Sequence, residues 1–187
     1  MAVPAAGGSP ADATPLSAVA DADLLALAER LQGLCLGRQL TLAVAESCTG
    51  GLVAATITEI AGSSGYFRGG VVAYAHEVKT ALLDVPAEML VAHGAVSAQV
   101  ARAMALGVRE RLGVTLAASV TGVAGPDGGT VEKPVGLTYI GLADAGMADV
   151  RRFVWAGDRA ANRHDSVRAV LRWLIEHAET LVVEADG

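Results

Sequence analysis

The sequence predicts an α/β protein: a single layered α/β/α domain in which a mixed β-sheet is flanked by helices. Three observations predict it. The chain has 187 residues, 52% of them hydrophobic, enough for one sizeable core. Short apolar runs alternate with stretches of helical periodicity early in the chain, as expected where strands are joined through helices. Later, two strand-like runs follow one another across a short turn, so part of the sheet is antiparallel.

Each element has its own signal. Asp21 or Asp23 can cap a first helix, in which Leu24, Leu27, Ala28, Leu31 and Leu34 recur at helical spacing. The apolar run 41–45 reads as a strand that stops at Glu46-Ser47-Cys48-Thr49-Gly50-Gly51, and Val53, Ile57 and Ile60 mark the helix after this turn. Gly62-Ser63-Ser64-Gly65 breaks that helix. Residues 70–74 read as a buried strand and 76–83 as a short helix. Val96, Val100, Met104, Val108 and Leu112 form a helical stripe with Ser97 as its cap and Gly113 as its stop. Residues 115–121 form a strand that runs into the loop 122–129. Residues 135–142 and 150–155 are two further strands, joined around Asp144-Ala145-Gly146. Val167, Val170, Leu171, Leu174 and Ala178 line one face of a final helix.

Composition excludes several classes of function. Aromatic residues are only 4%, so the core is built from Ala, Val and Leu. A net charge of −6, with no cluster of Lys and Arg, argues against nucleic-acid partners. The two cysteines, Cys35 and Cys48, provide no disulfide framework and fit a reducing cytoplasm. No apolar run reaches the roughly 18 residues that a membrane span needs. Residues 1–20 are rich in Ala, Pro, Gly and Ser and lack the basic and apolar regions of a signal peptide; they are expected to form a disordered tail before a domain over 21–187. His76, His93, His164 and His177 are scattered without ligand spacing, so no metal is expected.

Three places could carry chemistry. At the strand-to-helix turn, Ser47 stands near unpaired helix N–H groups that could stabilise an oxyanion or hold a phosphate, and Gly50 and Gly51 let a substrate approach the backbone. Alternatively, Ser47 or Thr49 merely caps the helix. Cys48 is a rival nucleophile, although consecutive side chains seldom point the same way, and it also reads as a small buried hydrophobe. The second place is Tyr74 with Lys79. Five helical steps do not share a face, so the two converge only if Tyr74 belongs to the strand and Lys79 to the next helix. Desolvation by Val78, Ala81, Leu82 and Leu83 would make Lys79 a usable base, but local sequence by itself favours a snorkelling surface lysine. The third place is the loop 122–129, followed by Glu132-Lys133-Pro134. It is Gly-rich but has neither the P-loop nor the dinucleotide-fold order.

Together, Ala45-Glu46-Ser47-Cys48-Thr49-Gly50-Gly51, Ile60-Ala61-Gly62-Ser63-Ser64, residues 74–79, His93-Gly94-Ala95-Val96-Ser97, residues 121–129, Lys133-Pro134-Val135-Gly136 and Gly157-Asp158-Arg159 resemble the CinA C-terminal domain family. Its members include the nicotinamide-mononucleotide amidohydrolases, and the resemblance is to the stand-alone form. It implies Ser47 as nucleophile, Lys79 as general base and Tyr74 as a partner in the proton relay. The implied reaction is conversion of nicotinamide mononucleotide and water to nicotinic acid mononucleotide and ammonia, in pyridine nucleotide recycling and without a cofactor. Thr49, Gly50, Gly51, Gly122, Gly125 and Arg159 are then the expected oxyanion- and substrate-binding residues, with Arg163 a further candidate for the 5′-phosphate. The expected partners are the small mononucleotide and further copies of the chain. One position departs from the family: His76 stands two residues after Tyr74, where Asn is usual. Two other readings fit the same residues: a nucleotide-binding or regulatory module that has lost the chemistry, and an amidase for a different carboxamide.

Overall fold

The computed structural model describes residues 21–181, so the expected tail 1–20 lies outside the described residues. The chain runs α1 (Ala22–Gly37), β1 (Leu42–Glu46), α2 (Leu52–Thr58), a 3-10 turn (Ser63–Gly65), β2 (Phe67–Val72), α3 (His76–Leu83), α4 (Ala87–His93), α5 (Ala98–Leu112), β3 (Leu116–Gly122), β4 (Leu137–Ala143), β5 (Ala148–Val154) and α6 (Arg159–Thr180). The strands form one mixed sheet in the order β2-β1-β3-β4-β5. β1 pairs in parallel with β2 and β3, while β3–β4 and β4–β5 are antiparallel.

The period-two alternation of β1 and β3 divides the core into two layers. Leu42 and Val44 of β1 and Leu116, Ala118 and Val120 of β3 pack with α1, α2 and α6, through Leu31, Val53, Ile57, Leu171 and Leu174. Ala43, Ala45 and Ala117 face α3, α4 and α5, through Leu83, Leu90, Val100, Met104 and Val108. Small side chains on this second face let α5 lie close to the sheet. A Cβ on Gly141 of β4 would stand 2.5 Å from the Ala101 carbonyl oxygen of α5, and α5 meets α3 as closely, since a Cβ on Gly107 would stand 1.9 Å from the Leu83 carbonyl oxygen.

β1 and β2 are adjacent and parallel, but their carboxyl ends feed helices on opposite faces: α2 follows β1 onto the α6 layer, and α3 follows β2 onto the α5 layer. In open α/β sheets, ligands bind beyond the carboxyl ends of the strands, where connections diverge to opposite faces.

The expected strands all occur, and each end falls within three residues of its expected place. β2 differs in character. It was expected as a buried strand over 70–74, but it is an edge strand of alternating exposure that ends at Val72. Helix α4 was not expected. Its signals are Pro86 at the cap and Glu88 in the first turn, without an apolar stripe long enough to show a period.

Candidate active site

The turn after β1 places Ser47 just beyond the carboxyl end of that strand. The main-chain N–H of Ser47 donates to the Val120 carbonyl (2.9 Å), and its carbonyl accepts from Gly50 N–H (3.1 Å). Gly50 and Gly51, at φ +61° and +95°, turn the chain from strand into α2 through backbone conformations that favour glycine. Ser47 does not cap α2, and neither does the Thr49 hydroxyl. The cap position is Gly51, and the carboxylate of Glu46 fills the role of a capping side chain. Glu46 Oε2 accepts from Thr49 Oγ1 (2.6 Å), Gly51 N–H (3.0 Å) and Val53 N–H (3.1 Å), and Oε1 accepts from Ala54 N–H (2.8 Å). Of the N–H groups expected to face an oxyanion, those of Gly50 and Gly51 are therefore spent. The N–H groups of Cys48 and Thr49 have no oxygen acceptor among the described residues.

Lys79 comes from α3, on the opposite face of the sheet from α2. Local sequence favours a snorkelling lysine at this position, but the structure places it fully buried, at 0% exposure. Its Nζ donates to the carbonyl oxygens of Ala73 (2.6 Å) and Tyr74 (3.2 Å) and lies 3.1 Å from Ser47 Oγ. These carbonyls are free because β2 has ended and the chain is turning into α3. Burial pulls the Lys79 ammonium below its ordinary 10.5, with Cys48 acting in the opposite sense. As an ammonium, Lys79 has three N–H groups for three acceptors, Ala73 O, Tyr74 O and Ser47 Oγ; the same geometry also accommodates the neutral amine. In the neutral form two N–H groups satisfy the two carbonyls, which can only accept, and the lone pair is left for the Ser47 hydroxyl proton.

Ser47 and Lys79 thus meet directly, across 32 positions of sequence. Tyr74 joins them through its main-chain carbonyl and not its phenol. The side chain is 61% exposed, and its Oη lies 3.4 Å from Arg159 Nη2. Arg159, at the start of α6, also donates through Nη1 to the Gly125 carbonyl (2.8 Å), which ties Tyr74 to the loop 122–129. Gly122 closes β3 opposite Thr138. Arg163, one turn further along α6, donates to the Thr49 carbonyl (2.6 Å). Buried Asn162 holds the same loop through Ala124 O (3.1 Å) and receives Gly157 N–H (3.0 Å). His76 is exposed at the first position of α3. Cys48 is buried with its thiol pushed up to about 12 by that burial.

Two residues of this site escaped the sequence reading. Glu46 had a signal: a carboxylate at the end of an otherwise apolar buried strand needs donors close by. Asn162 had none, since its partners come from a distant loop. Among the described residues, no group of three His, Cys, Asp or Glu side chains is placed to hold a metal ion. No helix among them is long and apolar enough to cross a membrane.

Comparison with known proteins places this arrangement in a family. A CinA-like protein from a Geobacter species is 56% identical over 152 residues, 81% of this chain, and a putative competence-damage inducible protein from Moorella thermoacetica is 52% identical over 134 residues. The chain spans about a third of the length of these curated relatives, 35% and 32% respectively. Solved structures match at nearly their whole length. The competence/damage inducible protein CihA from Agrobacterium tumefaciens superposes with a TM-score of 0.83 at 38% identity, covering 85% of this chain and 98% of that one. A CinA superfamily protein from Klebsiella pneumoniae gives 0.82 at 31% identity, covering 84% and 99%. The family model of the CinA C-terminal domain matches residues 24–178, and the chain belongs to that family.

Proposed function

We propose that this chain is an amidohydrolase that removes ammonia from the nicotinamide carboxamide of nicotinamide mononucleotide, with Ser47 as nucleophile and Lys79 as general base. The observation that carries the reading is a fully buried lysine whose Nζ has two carbonyl acceptors and stands 3.1 Å from a serine hydroxyl. A serine hydroxyl alone is a weak nucleophile toward an amide. Neutral Lys79 takes the Ser47 proton as Oγ adds to the carboxamide carbon. The resulting ammonium then protonates the departing nitrogen, ammonia leaves, and an acyl-enzyme remains. Water adds to the acyl carbon while Lys79 again accepts a proton, and Ser47 is restored as the carboxylate product departs. The sequence resemblance supplies the substrate. The two guanidinium groups of α6, Arg159 beside the loop 122–129 and Arg163 beside the nucleophile turn, are the proposed 5′-phosphate contacts.

Ammonia release is the test, measured with nicotinamide mononucleotide and nicotinamide riboside side by side. The mononucleotide is expected to have a kcat/KM higher by about tenfold or more, the effect of one charge-assisted hydrogen bond to the phosphate. Equal values would remove the phosphate from recognition. Release from other carboxamides but from neither of these would replace the substrate.

A further inference from the structure

We infer that Glu46 is the positioning residue that shapes the oxyanion-binding turn. Its carboxylate takes up the first amide hydrogens of α2, so the oxyanion is received by the N–H groups of Cys48 and Thr49. The inference rests on Ser47 being the nucleophile.

Glu46 is 1% exposed, and an ionised carboxylate held that far from water must be matched by donors. Four surround it, and all come from the eight residues that follow it. They include the N–H groups of Gly51, Val53 and Ala54, while Leu52 N–H donates to the Thr49 carbonyl (3.3 Å). The start of α2 is thereby saturated from within, and its amide hydrogens are not offered to a ligand. The same bonds draw Thr49 and Gly51 inward onto Glu46. Ser47 is fixed separately by Val120 O and Gly50 N–H. The Cys48 and Thr49 N–H groups, directly after the nucleophile, have no oxygen acceptor among the described residues; the Cys48 N–H meets only its own thiol, a weak acceptor that an oxyanion would displace. When Ser47 Oγ adds to the carbonyl carbon, the C=O π electrons settle on oxygen, and donors already in place stabilise that charge with little reorganisation. Glu46 touches neither Ser47 Oγ nor Lys79 Nζ. It acts through the turn, so its loss should lower the rate of the chemical step more than ground-state binding.

The experiment compares wild type, Glu46→Gln, Thr49→Val and Ser47→Ala. kcat and KM are measured for nicotinamide mononucleotide and for p-nitrophenyl acetate, below the thermal unfolding of each protein. Glu46→Gln keeps the shape but puts an N–H₂ group against a helix N–H group; kcat is expected to fall about 100-fold, with KM within about threefold of wild type. Thr49→Val replaces the hydroxyl that donates to the carboxylate with a methyl group and keeps the main-chain N–H. It is expected to lower kcat about tenfold at unchanged KM, and it decides the question if Glu46→Gln does not fold. A kcat within about threefold of wild type, or kcat and KM changing together in Thr49→Val, would overturn the inference. Ser47→Ala distinguishes the two levels of failure. If it stays active, the nucleophile assignment falls. If it is inactive while the other two behave as wild type, only the role of Glu46 falls. The ester keeps the comparison informative whichever carboxamide is the natural substrate.

Discussion

Ser47 and Cys48 are neighbours in the same turn, but their surroundings differ. Ser47 Oγ faces Lys79 Nζ at 3.1 Å. Cys48 points into the α2–α6 core layer, and a thiol pushed up to about 12 supplies almost no thiolate near neutral pH. Ser47→Ala is therefore expected to abolish ammonia release with the fold retained, and Cys48→Ala to keep most activity. The reverse pattern in the two kcat values would transfer the nucleophile to sulfur. At this scale the sequence was only partly legible. Ser47 could be found because a strand ended in a Gly-containing turn. Lys79 was a candidate base from its apolar neighbours, but local sequence favoured a surface lysine and only the resemblance favoured the base, because its burial depends on Ala73 and Tyr74 turning their carbonyls inward after β2, and nothing in Glu77-Val78-Lys79-Thr80 announces that.

At the scale of elements, the close approach of α5 and the anchoring of α6 set the positions of the site's walls. Gly107 lies inside α5, where alanine would ordinarily favour the helix by about 1 kcal/mol. Here the added Cβ would meet the Leu83 carbonyl oxygen at 1.9 Å, displacing α3 and Lys79 with it. Gly107→Ala is expected to destabilise the protein by about 1–3 kcal/mol, read as a lower denaturant midpoint, and to lose activity. The far end of α6 is tied to the β4–β5 turn by Asp144, whose Oδ2 meets His177 Nε2 at 2.6 Å and whose Oδ1 receives the N–H groups of Gly146 and Met147 at 2.7 Å. Burial pushes the Asp144 carboxyl up, but the bonds from Gly146, His177 and Met147 outweigh it and hold the group below its ordinary 3.8. A lowered carboxyl pKa stabilises the fold above the unfolded value, and that stabilisation is lost as pH falls through the folded one. Asp144→Asn should accordingly have a lower Tm than wild type at about pH 5, with the gap narrowing toward about pH 3. A gap that stays constant over this range would contradict the role of the carboxylate. The β4–β5 pair itself was legible from its apolar runs, whereas α4 was too short to show a period.

For the whole molecule, the site exists because two parallel neighbours, β1 and β2, send their helices to opposite faces. That single topological fact brings the turn carrying Ser47 and the helix carrying Lys79 together, and α6 then brings Arg159 and Arg163 to the rim. The layered fold was legible because helical and strand periods alternate cleanly along the chain. The strand order was not, since pairing between β1 and β3 joins residues separated by some seventy positions, and no local signal records such a partner. The central claim is that a neutral, buried Lys79 activates Ser47. It is tested most directly by kcat/KM for ammonia release from nicotinamide mononucleotide as a function of pH, in wild type and Lys79→Arg. Lys79 is held below 10.5, so wild-type activity should rise with pH through an apparent pKa below that value as the amine loses its proton. Arginine keeps its proton at working pH, so Lys79→Arg should be lower by about 100- to 10,000-fold and lack that rise. Near-normal turnover in Lys79→Arg, with the same pH profile, would contradict the account.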